Sequence, residues 1–227
     1  VETLGALRWA ADQKMHWKLH YYLGLNLWGL NQFDEAASEF KLVGEEPNFA
    51  PFYLSRAELL EKTGNISPSI DNERAKSLGG ESWSVWHKYL QFLNRQSDVQ
   101  QALQVAREAK EKFPKNYVIG MDYAQALFNA KKYQQCINVL NNLHILPYEG
   151  ASEGRMIYEQ AHLYLALQEI EQEKYDKAVT TLKNSLEWPE NLGVGKPYNP
   201  DITVQNFLLG YIYERMGKKQ LAQQNFK

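Results

Sequence analysis

Two kinds of position recur along the chain. The first is held by Gly24, Ala57, Leu90, Ala124, Ala166 and Gly210, the second by Ala36, Ser69, Ala102, Cys136, Ala178 and Ala222. Both series advance by 33, 33, 34, 42 and 44 residues, and the second trails the first by 12 throughout. Apolar residues return one turn further on, at Phe40, Ala106, Leu140, Leu182 and Phe226, which is helical spacing. Each unit therefore predicts two helices. Small side chains at the paired positions let the helices approach closely. Leu90 departs from that rule and predicts looser packing in the third unit.

Predicted helices are 16–30 and 33–45, 50–63 and 67–78, 81–94 and 97–112, 117–130 and 133–144, 152–172 and 175–186, and 201–216 and 218–227. Ser67-Pro68, Ser97 and Asp98 offer caps. Pro47, Pro114, Pro147 and Pro189 fall after second helices, which they cannot extend. Residues 1–227 read as one array. A truncated repeat covers 1–15, and repeats follow at 16–48, 49–80, 81–115, 116–148, 149–190 and 201–227. The 12-residue offset never changes, so every added residue falls between units. Long connections at 146–152 and 187–200 are expected to emerge side by side on one edge, where repeat proteins often place a working surface.

These units resemble the tetratricopeptide repeat, through Tyr22-Leu23-Gly24 and Leu208-Leu209-Gly210 in first helices, Phe33-Asp34-Glu35-Ala36 and Tyr175-Asp176-Lys177-Ala178 in second ones, and closing prolines. The second unit is degenerate, with Ser69 for alanine and Gly80 for proline. The resemblance implies an all-α, right-handed superhelical solenoid of helix-turn-helix repeats whose first helices line a concave groove. The segment Trp188-Pro-Glu-Asn-Leu-Gly-Val-Gly-Lys-Pro197 is also similar to the tetratricopeptide tail of large bacterial proteins with an N-terminal galactose-mutarotase-like β-sandwich. That likeness implies such a sandwich upstream of Val1. No catalytic residue of it falls in this chain.

Composition narrows the function. Lys and Arg number 25 against 27 Asp and Glu, a net charge of −2, so no bulk field favours nucleic acid or anionic membrane. Mean hydropathy is −0.54, and no apolar run approaches the roughly 20 residues of a membrane span. The single Cys136 excludes an intrachain disulfide or a thiolate zinc site and reads as core. Gly193-Val-Gly-Lys196 is no phosphate loop, because Glu190 and Pro197 stand where that motif needs Gly and Ser or Thr. His16 and His20 have metal-like spacing but lack the accompanying Glu. They read as packing, as do His87, His144 and His162. Glu169, Glu171 and Glu173 read as solvated surface. Glu149, Glu153 and Glu190 have nothing to fix the separation a carboxylate pair needs. No enzyme activity, cofactor or metal is expected.

Carried over from the repeat pattern, groove candidates are Tyr21, Tyr22 and Trp28 at one end, Gln91, Arg95, Asp122 and Gln125 in the middle, and Tyr164, Phe207 and Tyr211 at the other. Leu167 also belongs to that far end. The carboxylate clamp of chaperone-binding relatives needs Lys and Asn on successive turns. Tyr21 and Leu25, or His87 and Gln91, stand there instead. Loop candidates are Glu149, Glu153, Arg155, Glu190, Asn191 and Lys196. The expected function is a scaffold that binds a protein or peptide in the groove, or docks its own N-terminal domain through the loops. The competing expectation is an accessory domain of a carbohydrate-active enzyme, its loops completing a sugar site. Partners are expected to be protein, with no nucleic acid and no membrane insertion. The compartment stays open: cytoplasm by default, the periplasm or exterior if an export signal lies upstream.

Overall fold

The computed structural model describes residues 2–13, 16–45, 47–64, 68–96, 98–148 and 150–226. The expected caps Ser67 and Ser97, and Glu149, lie outside them. Among the described residues there are thirteen α-helices and no strand. They are α1 (Glu2–Gln13), α2 (Trp17–Gly29), α3 (Phe33–Val43), α4 (Ala50–Thr63), α5 (Ser69–Gly79), α6 (Trp83–Arg95), α7 (Val99–Lys112), α8 (Tyr117–Asn129), α9 (Tyr133–Asn141), α10 (Glu153–Glu171), α11 (Tyr175–Ser185), α12 (Thr203–Arg215) and α13 (Lys219–Asn225). A 3-10 turn spans Glu190–Leu192. The chain forms two compact units, Val1–Phe92 and Leu93–Lys227, with the boundary inside α6.

The constant offset has a local cause. Lys132 N–H donates to Leu127 O at 2.9 Å and Lys131 N–H to Phe128 O at 2.9 Å, closing α8 with a six-to-one bond. The same pair of bonds ends α2, α10 and α12, where Gln32, Lys174 and Lys218 reach back five residues. Each closure needs one left-handed residue, and Asn31, Lys131, Glu173 and Gly217 supply it, with φ of 61°, 58°, 57° and 72°. A side chain is strained there. Lys131→Gly and Glu173→Gly are each expected to raise stability by about 0.5–1 kcal/mol. The urea midpoint should rise with an unchanged slope. A lower midpoint would show that these turns carry no strain.

The second hairpin corrects the register. The amides of Ala36, Ala102, Cys136, Ala178 and Ala222 each donate to the residue four back, at the mouth of the second helix, and Asn72 does the same to Pro68 O at 3.1 Å. Asn72, not Ser69, thus holds the second position of that unit. Ala57 and Asn72 stand 15 residues apart, against 12 between the paired positions elsewhere, so the additions are not confined to connections between units. Asn72 is buried and turns its side-chain amide to Pro68 O at 2.9 Å, which lets a polar residue occupy an apolar slot. Its neighbour Asp71 faces inward as a result.

Unit Val1–Phe92 is built on aromatic packing. Tyr21, Phe40, Phe52 and Tyr53 are buried, their rings meeting at 5.1–6.1 Å in stacked and edge-on pairs. Gly24 lies under the Phe40 ring. Beside this core, Arg56 grips Asp71 through two bonds of 2.7 and 2.6 Å and reaches Glu45 at 2.6 Å. Burial works against its charge, and the bonds from Asp71 and Glu45 more than reverse that, holding the guanidinium above the ordinary arginine range.

In unit Leu93–Lys227, Ala166, Ala178, Leu182, Leu209, Ile212 and Ala222 form a core between α10, α11, α12 and α13. The third repeat departs from the others in side-chain size at two positions. Leu90 sits at the first position and Ala106 one turn past the second, where other repeats carry Phe40, Leu140, Leu182 and Phe226; both are fully buried. Glu169 is also corrected: it is buried, accepts from Thr181 Oγ1 at 2.7 Å and pairs with Lys177 at 3.0 Å.

Candidate docking site

The richest surface lies within the second unit, where α10, the connection after α11 and α12 meet. The two long connections touch. Asn191 Nδ2 donates to Leu140 O and Leu143 O, both at 2.9 Å, adding a second donor to Leu140 O, which already accepts from Leu143 N–H at 3.2 Å, and engaging the Leu143 carbonyl just beyond α9. Ile145 N–H donates back to Asn191 O at 2.8 Å. Leu192 is buried beside Gly154 and closes the joint.

Arg155 is likewise turned inward. Its side chain is buried, donating to Ser185 O at 2.7 Å and to Glu159 Oε2 at 3.0 Å, with the Trp188 ring 4.4 Å from its guanidinium carbon. Burial lowers its pKa, and Glu159 pulls it back. Gln205, also buried, donates to the other Glu159 oxygen at 2.5 Å and so ties α12 to α10. Asn191 is thus engaged within the chain, and Arg155 is too, except for its Nε, which is buried without a hydrogen-bond partner. Glu153, Glu190 and Lys196 are exposed, and Glu149 lies outside the described residues.

Between these elements lies a cavity of about 330 Å³, lined by Arg155, Glu159, Leu163, Trp188, Val204 and Gln205, with Pro197, Pro200 and Asp201 among its other walls. Asp201, exposed at the start of α12, accepts from the Thr203 hydroxyl and from Thr203 N, the latter at 2.9 Å, and those two bonds hold its carboxyl below the usual range. Beyond the cavity, α10 exposes Tyr164 (47%) and Leu167 (38%), and α12 exposes Phe207 (60%) next to Val204 (55%), which also lines the cavity. These pairs have the three-residue spacing of one helix face. Tyr211 follows one turn on, its hydroxyl accepting from Arg215 Nε at 3.2 Å.

The other groove candidates divide. Tyr21, only 6% exposed, packs against Phe40, Phe49 and Phe52 and is core, so it offers nothing to a partner. Tyr22 is exposed. Trp28 is half-buried under the Lys62 ammonium at 5.2 Å. Gln91 bonds His87 at 3.0 Å. In the second unit Gln125 donates to Asn129, which donates to Asn94 at 3.4 Å, a row of amides on successive first helices. Arg95 is exposed and Asp122 half-buried. Sequence reasoning passed over Gln205, although a polar residue one turn before buried Leu209 marks the inner face of α12.

Of the remaining reactive groups Cys136, His20 and His162 are buried, whereas His16 and His144 are exposed and do not pack as expected. Burial pushes the Cys136 thiol up to about 12. His16 Nδ1 caps α2 by accepting from Lys18 N at 3.2 Å, and His20 pairs with Glu39 at 2.7 Å, so the two histidines do not converge. Buried His162 donates from Nδ1 to Tyr158 O at 2.9 Å. Among the described residues no three His, Cys, Asp or Glu side chains cluster in a way that could hold a metal ion. No helix there is long and apolar enough to cross a membrane.

No protein-family model matches the sequence, and no curated protein matches it significantly. Solved structures do match. The C-terminal part of a TPR repeat-containing protein from Cytophaga hutchinsonii superposes with a TM-score of 0.68 at 12% identity, over 99% of this chain and 88% of that one. A tetratricopeptide repeat protein from Parabacteroides merdae gives 0.54 at 13%, over 98% and 82%. A chain of the Cut9–Hcn1 hetero-tetramer of the APC/C gives 0.50 at 13%, over 99% and 42%. The fold is therefore the all-α solenoid of tetratricopeptide helix-turn-helix repeats.

Proposed function

We propose that the chain is a non-catalytic scaffold that binds an extended segment of a partner protein along the exposed faces of α10 and α12. The observation that carries this reading is the run Tyr164, Leu167, Val204 and Phe207, large apolar side chains left half open to water on adjacent first helices. Covering such side chains stabilises a complex by about 0.7–1.5 kcal/mol each, half the value of full burial. Aromatic residues at a rigid surface lose little entropy on contact. The amide row of Asn94, Gln125 and Asn129 offers donors and acceptors suited to a peptide backbone. Occurrence of the fold in the Cut9–Hcn1 hetero-tetramer agrees with a role in assembly. Docking through the long connections has less support, because Arg155 and Asn191 are spent within the chain.

Peptides selected from a displayed random library on the intact chain test this. Phe207→Ala and Tyr164→Ala are each expected to weaken the selected peptides about tenfold, leaving the fold unchanged by circular dichroism. Selected peptides indifferent to both substitutions, or no selection above background, would refute the reading.

A further inference from the structure

We propose that the cavity between α10, the 187–200 connection and α12 receives a lysine or arginine side chain of the bound segment. The inference rests on the groove reading above and adds the chemistry of the partner.

At about 330 Å³ the cavity lies at the small end of ligand sites, roughly 300–1,000 Å³, with room for one long side chain. Its walls are mixed, polar groups standing beside Leu163, Trp188, Pro197, Pro200 and Val204, whose apolar surface suits an aliphatic stem. Its charges are unbalanced. Arg155 is the one cation in the lining, and it is already used: Glu159 neutralises it at 3.0 Å, Ser185 O takes a second bond, and Trp188 covers its face. Asp201 has no cation matched to it in the lining. Arg155, Glu159 and Asp201 therefore sum to −1. An incoming acid would meet two carboxylates, with the only positive charge sealed beneath an indole. An incoming base would meet the same carboxylates with its stem on the apolar walls. The cavity also shares Val204 with the exposed apolar run, so a segment lying on Phe207 can place one residue into it.

The selected peptides provide the probe. On the intact chain they are expected to carry Lys or Arg at one fixed position beside an apolar residue. Acetylating that lysine, which keeps the stem and removes the charge, should weaken binding about fivefold at low salt and less at high salt. Asp201→Asn retains the oxygen that accepts from Thr203 N. It should weaken the lysine peptide by the same factor and leave the acetylated one unchanged. Asp201→Lys should shift the preference to Glu. If the peptides depend on Phe207 but ignore both acetylation and Asp201→Asn, the cavity proposal fails and the groove reading stands. If they ignore Phe207 and Tyr164, the groove reading fails and takes the cavity with it.

Discussion

Asp71→Ala is expected to destabilise the chain by about 3 kcal/mol, the lower end of the roughly 3–5 kcal/mol seen when one partner of a buried ion pair is removed. Both side chains are shielded, at 15% exposure for Arg56 and 6% for Asp71. Without Asp71 the guanidinium loses two short bonds and keeps only Gly44 O at 3.2 Å and the exposed Glu45. Its contacts with the Phe52 and Tyr53 rings, at 5.0 and 5.4 Å, soften the loss, which is why the lower figure is expected. Arg56→Ala should cost more, since it strips those contacts and strands the Asp71 carboxylate. The double replacement Arg56→Met with Asp71→Leu should recover most of the loss, because apolar groups of similar volume avoid desolvating two charges. Urea unfolding of the two single variants and the pair gives the cycle. A loss below about 1 kcal/mol for Asp71→Ala would show that water reaches the pair and screens it.

The ion pair also shows where reading the sequence stopped. Helix positions were legible because the six-to-one closure fixes 12 residues between paired sites, and four of those closures sit at Asn31, Lys131, Glu173 and Gly217. That closure is a backbone event needing no particular side chain, so it leaves spacing as its trace. In the second hairpin the turn lengthens and the small-residue slot goes to Asn72. A search for small residues settles on Ser69 instead, three residues too early. Tyr21 and Tyr22 differ by one residue and about 100° around α2, enough to place one in the core and the other in water. The long connections were visible as extra length. Their partners were not, since no spacing says that the amide of Asn191 will find carbonyls about 50 residues earlier in α9 and just beyond it.

Gly193→Ala is expected to cost about 2–4 kcal/mol, although the residue lies in a connection rather than a helix. Its φ is +68°, where an added side chain is strained by roughly 1–2 kcal/mol. The larger effect is steric. A Cβ there would sit 2.7 Å from Ile145 O and 3.2 Å from both Leu146 C and Pro147 N. All three are backbone atoms, so no side chain can swing aside, and one connection must move off the other. Moving it breaks the bond from Ile145 N–H to Asn191 O and draws the Asn191 amide from the Leu140 and Leu143 carbonyls. Gly195→Ala, two residues away with nothing within 4 Å of its added Cβ, is the control and should change stability by less than about 0.5 kcal/mol. Hydrogen exchange distinguishes the mechanism from general loosening: the Ile145 amide should lose protection in Gly193→Ala while amides within α12 and α13 keep theirs. Unchanged protection at Ile145 would mean that the connections do not hold one another. The length added at both joints would then be surface elaboration, and the cavity walls supplied by Trp188 and Pro197 would lack the anchor that positions them.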